Sequence, residues 1–168
     1  MAQTVYDPPV STYIPLQTIT LGASASSVTF ASIPQTYRDL VLVINGAMPN
    51  SGGEPYARLN SDSASNYSAV RMTGQGSNYS AAAFTSNRLG FFFTYGSELA
   101  NVIVSLMDYS ATDKHKTTLS RGSQAAGRGA AAWASRWANT DAVTSIAISH
   151  EGGDYPSGVT FSLYAIEA

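Results

Sequence analysis

The chain holds two histidines, His115 and His150, and no cysteine. Together these facts bound its chemistry. Without thiols there is no disulfide, no zinc–thiolate site and no cysteine nucleophile. His115 lies in the run Asp113-Lys114-His115-Lys116, which reads as a solvated charged loop, and His150 ends an apolar alternation beside Glu151. No pair of histidines has metal-ligand spacing, and HExxH is absent. Serine is abundant, yet a nucleophile elbow needs G-x-S-x-G, and both YGSEL and RGSQA lack the second glycine. The expectation is a protein with no catalytic residue, no metal and no cofactor.

Carboxylates are scattered singly: Asp39, Glu54, Asp62, Glu98, Asp108, Asp113, Asp141 and Asp154. Glycoside hydrolysis needs two that face each other, which distant strands can supply without a local signature. The loop Asn60 to Ser65, NSDSAS, presents oxygen ligands but lacks the acid density of a dedicated calcium loop, so an Asx-turn is the better reading. Tyr56, Tyr67, Tyr79, Trp133 and Trp137 are the candidates for a sugar-stacking platform. Core packing and subunit contacts use the same rings for the same reason, large rigid area at low entropy cost, and are the favoured reading.

These residues must be placed by a scaffold, and the composition says of what kind. Charged residues make up 12% of 168 positions, while Ser and Thr number 38 and Ala 24. A surface of hydroxyls and small side chains suits a part that packs against neighbours, because few long charged chains must be desolvated or ordered at each contact. Net charge is −2 with no basic run, which argues against nucleic acid as a partner. No apolar run reaches the length of a membrane span, and the opening residues show neither the charged nor the apolar region of a signal peptide.

Period-2 alternation dominates. Ile19 and Leu21, Val28 and Phe30, Leu89 to Tyr95, Val102 to Leu106, Ile146 and Ile148, and Val159 to Ala165 all alternate with small or polar residues. Leu40 to Ile44 is apolar at every position, as in a central strand. About ten strands at this spacing predict an all-β chain, an antiparallel sandwich or barrel. The segment 127 to 142, GRGAAAWASRWANTDA, fits a helix by its alanines, but Trp133 and Trp137 also share one face of a strand, and the strand reading is preferred. The five letters SNYSA occur at 65–69 and again at 77–81, with Thr73 to Gly76 between them. Two short strands joined at a glycine-containing turn account for the duplication.

Residues 1–15 form a separate unit, an extended Pro-rich arm ahead of a sandwich domain at 16–168. Pro8, Pro9 and Pro15 hold it extended and remove ladder donors. It is neither charged nor polar enough for a solvated tail. Tyr6, Pro8, Pro9, Val10, Tyr13 and Ile14 are therefore the candidate binding residues, anchors toward a neighbour or a larger surface.

Several segments in order, LQTITLGASASSVTFASIPQTYRDLVLV, ARLNSDSASNYS, SRWANTDAVTSIAIS and GVTFSLYAIEA, resemble a group of tailed-bacteriophage virion structural proteins, many from phages of cyanobacteria and marine bacteria. The resemblance covers most of residues 15–168 and rests on composition and order rather than on a chemical motif. It implies a jelly-roll β-sandwich in the virion, made in the host cytoplasm. One role it implies is a non-enzymatic head decoration (cement) protein, a homotrimer on the outside of the capsid whose partners are itself and the major capsid protein. The alternative is a tail fibre or tailspike module that binds host glycan through loops 49–56, 74–80 and 150–157. The proline-rich arm lies outside the resemblance.

Overall fold

The alternating segments become twelve strands in the computed structural model, which describes residues 12–49, 53–91, 98–125 and 129–167. They are β1 (Tyr13–Thr20), β2 (Ser27–Phe30), β3 (Asp39–Ala47), β4 (Pro55–Leu59), β5 (Tyr67–Gln75) and β6 (Asn78–Ser86), then β7 (Leu89–Gly90), β8 (Leu99–Met107), β9 (Lys116–Gln124), β10 (Ala130–Trp137), β11 (Ile146–His150) and β12 (Thr160–Ile166). Eight of them form one sheet in the order β1-β12-β3-β8-β9-β10-β5-β6, and four form a second in the order β2-β11-β4-β7. Every strand pairing is antiparallel. The protein is an all-β, jelly-roll-like sandwich.

Alternation sets which face each residue takes. On β3 the inward residues Leu40, Leu42 and Ile44 are buried between the sheets, and Val41 and Val43 point the other way. β3 lies third in the large sheet, flanked by β12 and β8, as an all-apolar strand should. β10 resolves the helix-or-strand question for the alanine-rich segment. Its burial alternates strictly, with Trp133 and Trp137 inward and Ala130, Ala132, Ala134 and Arg136 outward. Trp133 lies over β7, where a Cβ on Gly90 would come within 2.7 Å of the indole, so only glycine fits there.

The duplicated SNYSA is a hairpin. β5 and β6 pair from Tyr67↔Ser86 to Gln75↔Asn78, leaving Gly76 and Ser77 as a two-residue turn with Gly76 at φ 58°. β4 went unread because its first residues, Pro55 and Tyr56, sit in a stretch rich in turn formers. Proline at the first position of a strand loses no essential ladder bond.

One reading of the charged loop is corrected. Asp113, Lys114 and His115 are exposed, but Lys116 opens β9 fully buried. Its Nζ donates to the carbonyls of Ala111 (2.6 Å), Lys114 (3.0 Å) and Thr140 (3.2 Å), so the ammonium's three donors replace water with backbone oxygens. Burial lowers its pKa from the usual lysine range.

Candidate functional site: the outer face of the large sheet

The second face of the eight-stranded sheet has no layer of the described residues upon it. Register places its side chains in rows. One row runs Pro15, Tyr164, Val41, Ser105, Leu119, Ala134, Val70, Ala83 across all eight strands. The next runs Thr18, Ser162, Val43, Ile103, Arg121, Ala132, Met72, Ala81. A third runs Thr20, Thr160, Asn45, Asn101, Ser123, Ala130, Gly74, Tyr79. Arg121 is the only charged residue in the three. Val70, Met72 and Leu119 are 52%, 61% and 52% exposed.

Solvated sheet faces normally alternate toward polar residues. This one mixes Ser, Thr and Asn with Val, Ile, Leu, Met, Tyr and Ala, and its largest exposed apolar side chains are Val70, Met72 and Leu119 beside a buried Val41.

Of the arm residues singled out in the sequence, Tyr6, Pro8, Pro9 and Val10 lie outside the described residues. Tyr13, Ile14 and Pro15 are placed, and they belong to the sheet. Tyr13 pairs with Ile166, Ile14 with Ala165 and Pro15 with Tyr164. Ile14 turns inward and packs on the chain's own core, so it is not an outward anchor. Tyr13 turns outward, 54% exposed, with its ring edge-on to Tyr164 at 6.4 Å.

The candidate stacking residues separate. Tyr67, Trp133 and Trp137 are 2% exposed or less, in agreement with core packing. Tyr67 stacks on Trp137 at 6.3 Å and donates its hydroxyl to the Asp62 carbonyl. Burial pushes the Tyr67 phenol up to about 12. Tyr79 stands 91% exposed at the hairpin end, and Tyr56 lies under the guanidinium of Arg88 at 4.7 Å.

The NSDSAS loop uses its oxygens internally. Asp62 accepts from Trp137 Nε1 (2.6 Å), the Ala64 amide (2.8 Å) and Asn66 Nδ2 (2.9 Å). The Ala64 contact is the Asx-turn the sequence suggested. Burial raises the Asp62 pKa, but these three donors outweigh it and hold the carboxyl below its usual range.

Loops 49–56 and 150–157 meet where the described part begins at Gly53, while the β5–β6 turn belongs to the opposite sheet. The Glu54 amide donates to Glu151 Oε2 (3.1 Å), and the Glu151 amide to the Glu54 carbonyl (3.1 Å). This brings together two carboxylates 97 residues apart, a pairing no local pattern announced. Each is matched by a guanidinium: Arg71 Nη1 reaches Glu54 Oε1 at 2.6 Å, and Arg88 pairs with Glu151. Arg71 also lies 5.6 Å from the Trp133 ring and 5.7 Å from that of Phe84. Burial raises the Glu54 pKa, against the lowering pull of Arg71 and Arg88. With both carboxylates committed to cations, the cluster ties the small sheet to β5.

His150 adjoins this cluster, 6% exposed, with Nδ1 accepting the Gly152 amide at 2.8 Å and its ring edge-on to Tyr155. Burial lowers its pKa to about 4. Protonation at Nδ1 would also forfeit the Gly152 bond. Between pH 6.5 and about 4 the unfolded chain therefore binds a proton that the folded chain refuses, and stability falls as pH drops through that window. The maximum loss is about 3 kcal/mol. Thermal melts across the window should show this slope in the parent and a much flatter one in His150→Gln. Equal slopes would contradict the assignment.

No family model matches this chain, and no curated protein matches it. Among solved structures it is similar to an alginate lyase in complex with an alginate tetrasaccharide, at 11% identity and a TM-score of 0.35 over 90% of this chain and 79% of that one. It is also similar to a protein of unknown function from Shewanella oneidensis MR-1, at 10% identity and a TM-score of 0.23 over 93% and 76%. Likenesses this distant carry no argument about what the chain does.

Proposed function

We propose that this protein is a bacteriophage head decoration (cement) protein, a non-enzymatic sandwich that binds the outside of the capsid as a homotrimer. The resemblance of the sequence supplies the setting, and the observation that carries the adhesive reading is the weakly charged outer face, where Val70, Met72 and Leu119 stand exposed. Such a face joins copies to one another and seals them to the major capsid protein without chemistry. One contact alone is weak, and repetition within an oligomer multiplies it through high local concentration.

The test is co-sedimentation with undecorated heads of the phage that encodes the protein. The cut belongs before Thr12, because Tyr13 and Ile14 are strand residues. The full chain should pellet with heads at hundreds of copies per particle, and the chain lacking residues 1–11 should stay folded but bind more weakly. A dozen copies per virion, confined to tails, would overturn the reading.

The second reading, a tail module that binds host glycan, is favoured by one observation, the 91% exposure of Tyr79 at a hairpin end. A glycan array separates the two. Cement predicts no hits, and a tail module predicts hits that Tyr79→Ala removes.

A further inference from the structure

We propose that the outer face of one copy is occupied by residues 1–11 of a neighbouring copy, with Asp7 of the arm paired to Arg121 of the face. This rests on the adhesive reading above and names the partner at that surface. The face carries Arg121 in the three rows described and Arg136 in the row beyond them, both exposed and without an acidic partner among the described residues. Around Arg121 its neighbours in the rows are Ile103, Ala132 and Met72, so an occupant there must be apolar and bring a negative charge. Residues 1–11, MAQTVYDPPVS, have that composition: Asp7 is their only charged side chain, flanked by Val5, Tyr6, Pro8, Pro9 and Val10. A second copy of the face is the wrong occupant, since it would set a like charge against Arg121 with no acid nearby.

The polarity of β1 assigns the arm to a neighbour. β1 runs from Tyr13 toward Thr20, and Arg121 shares its row with Thr18, so the chain before Tyr13 heads away from Arg121. From the Tyr13 end of β1, Arg121 lies four strands across and about four residues along, about 23 Å in all. To reach Arg121 on its own sheet the arm would have to reverse direction at Thr12 and then cross four strands. An arm from an adjacent copy arrives without that constraint. Each copy then gives an arm and receives one, a head-to-tail contact that closes into a ring at a suitable rotation.

The chain has no cysteine, which makes the pairing directly testable. A size-tagged Asp7→Cys chain is mixed with an untagged Arg121→Cys chain under mild oxidation and run on a non-reducing gel. The inference predicts a dominant tagged–untagged disulfide band. Absence of that band overturns it, as does an internal disulfide in the Asp7→Cys/Arg121→Cys double variant, which would place the arm on its own sheet. Independently, Asp7→Arg and Arg121→Asp should each weaken self-association about tenfold, and the charge-swapped double variant should restore it. No restoration counts against the pairing. If the cross-link fails while the parent still coats heads, the arm assignment falls and the cement reading stands. If it forms while no head binds, the reverse holds.

Discussion

A Val70→Asp/Leu119→Asp double variant is expected to lose at least 100-fold in binding to heads, while its melting temperature stays within about 5 °C of the parent's. Both residues lie in one row of the outer face, separated by Ala134, and both are 52% exposed. In the separate protein the new carboxylates point into water, and the cost is the poor strand propensity of aspartate, within about 1 kcal/mol per site. In the assembled state they are covered by an apolar partner. Burying a charge without a counter-ion costs about 3–5 kcal/mol, and 2.7 kcal/mol is already a factor of about 100. Co-sedimentation and a thermal melt on the same preparation make the check. Wild-type decoration by a folded variant would remove the outer face from the account. Loss of fold would show instead that the face carries core strain.

The second large effect concerns the hinge between the two sheets. Trp137→Ala should destabilise the protein by about 5 kcal/mol, enough to unfold much of it at 37 °C when whole domains hold only about 5–15 kcal/mol. Trp137 is fully buried at the end of β10, stacked on Tyr67, and its Nε1 donates to Asp62 at 2.6 Å. Removing the indole opens a cavity costing about 3–5 kcal/mol and takes a donor from a carboxylate, worth about 1.5–3 kcal/mol. Trp137→Phe weights the second loss, since it keeps an aromatic ring at the site while deleting the donor. Its deficit should be about 2 kcal/mol at neutral pH. The deficit should shrink as pH falls through the Asp62 titration, because Asp62 has a depressed pKa whose stabilising contribution is lost on protonation. Urea unfolding midpoints at neutral and acid pH make the measurement. A pH-independent deficit would mean that the Asp62 bond contributes nothing.

Most of the fold was legible because period-2 alternation is a local signal. Leu40 to Ile44 announced an interior strand, and the repeated SNYSA announced a hairpin, since side-chain period and turn chemistry need no knowledge of the rest of the chain. The alanine-rich segment was ambiguous for a physical reason. Residues four apart share a face in both a helix and a strand, and only the sheet register with β5 and β9 decides between them.

The functional surface was harder to read. Val41 and Val43 signalled apolarity on both faces of β3, but the continuous patch exists only because register aligns them with Leu119 on β9 and Met72 on β5. Arg121 drew no notice, because its isolation is a property of its neighbours across the sheet. The Glu54–Glu151 pairing was equally hidden, made by contacts between distant strands. Lys116 misled the reading because lysine in a charged run is normally solvated, and only the folded loop supplies three carbonyls to its ammonium.

The central claim is that association covers the outer face of the large sheet. Hydroxyl-radical footprinting of the chain lacking residues 1–11, held dilute in solution, and of the full chain bound to heads tests it most directly, read at methionine. Met72 is 61% exposed and lies on the face, while Met48 is fully buried and serves as the internal control. The account predicts that assembly slows oxidation of Met72 at least tenfold and leaves Met48 unchanged. A Met72 that oxidises as fast on the particle as in solution would contradict it.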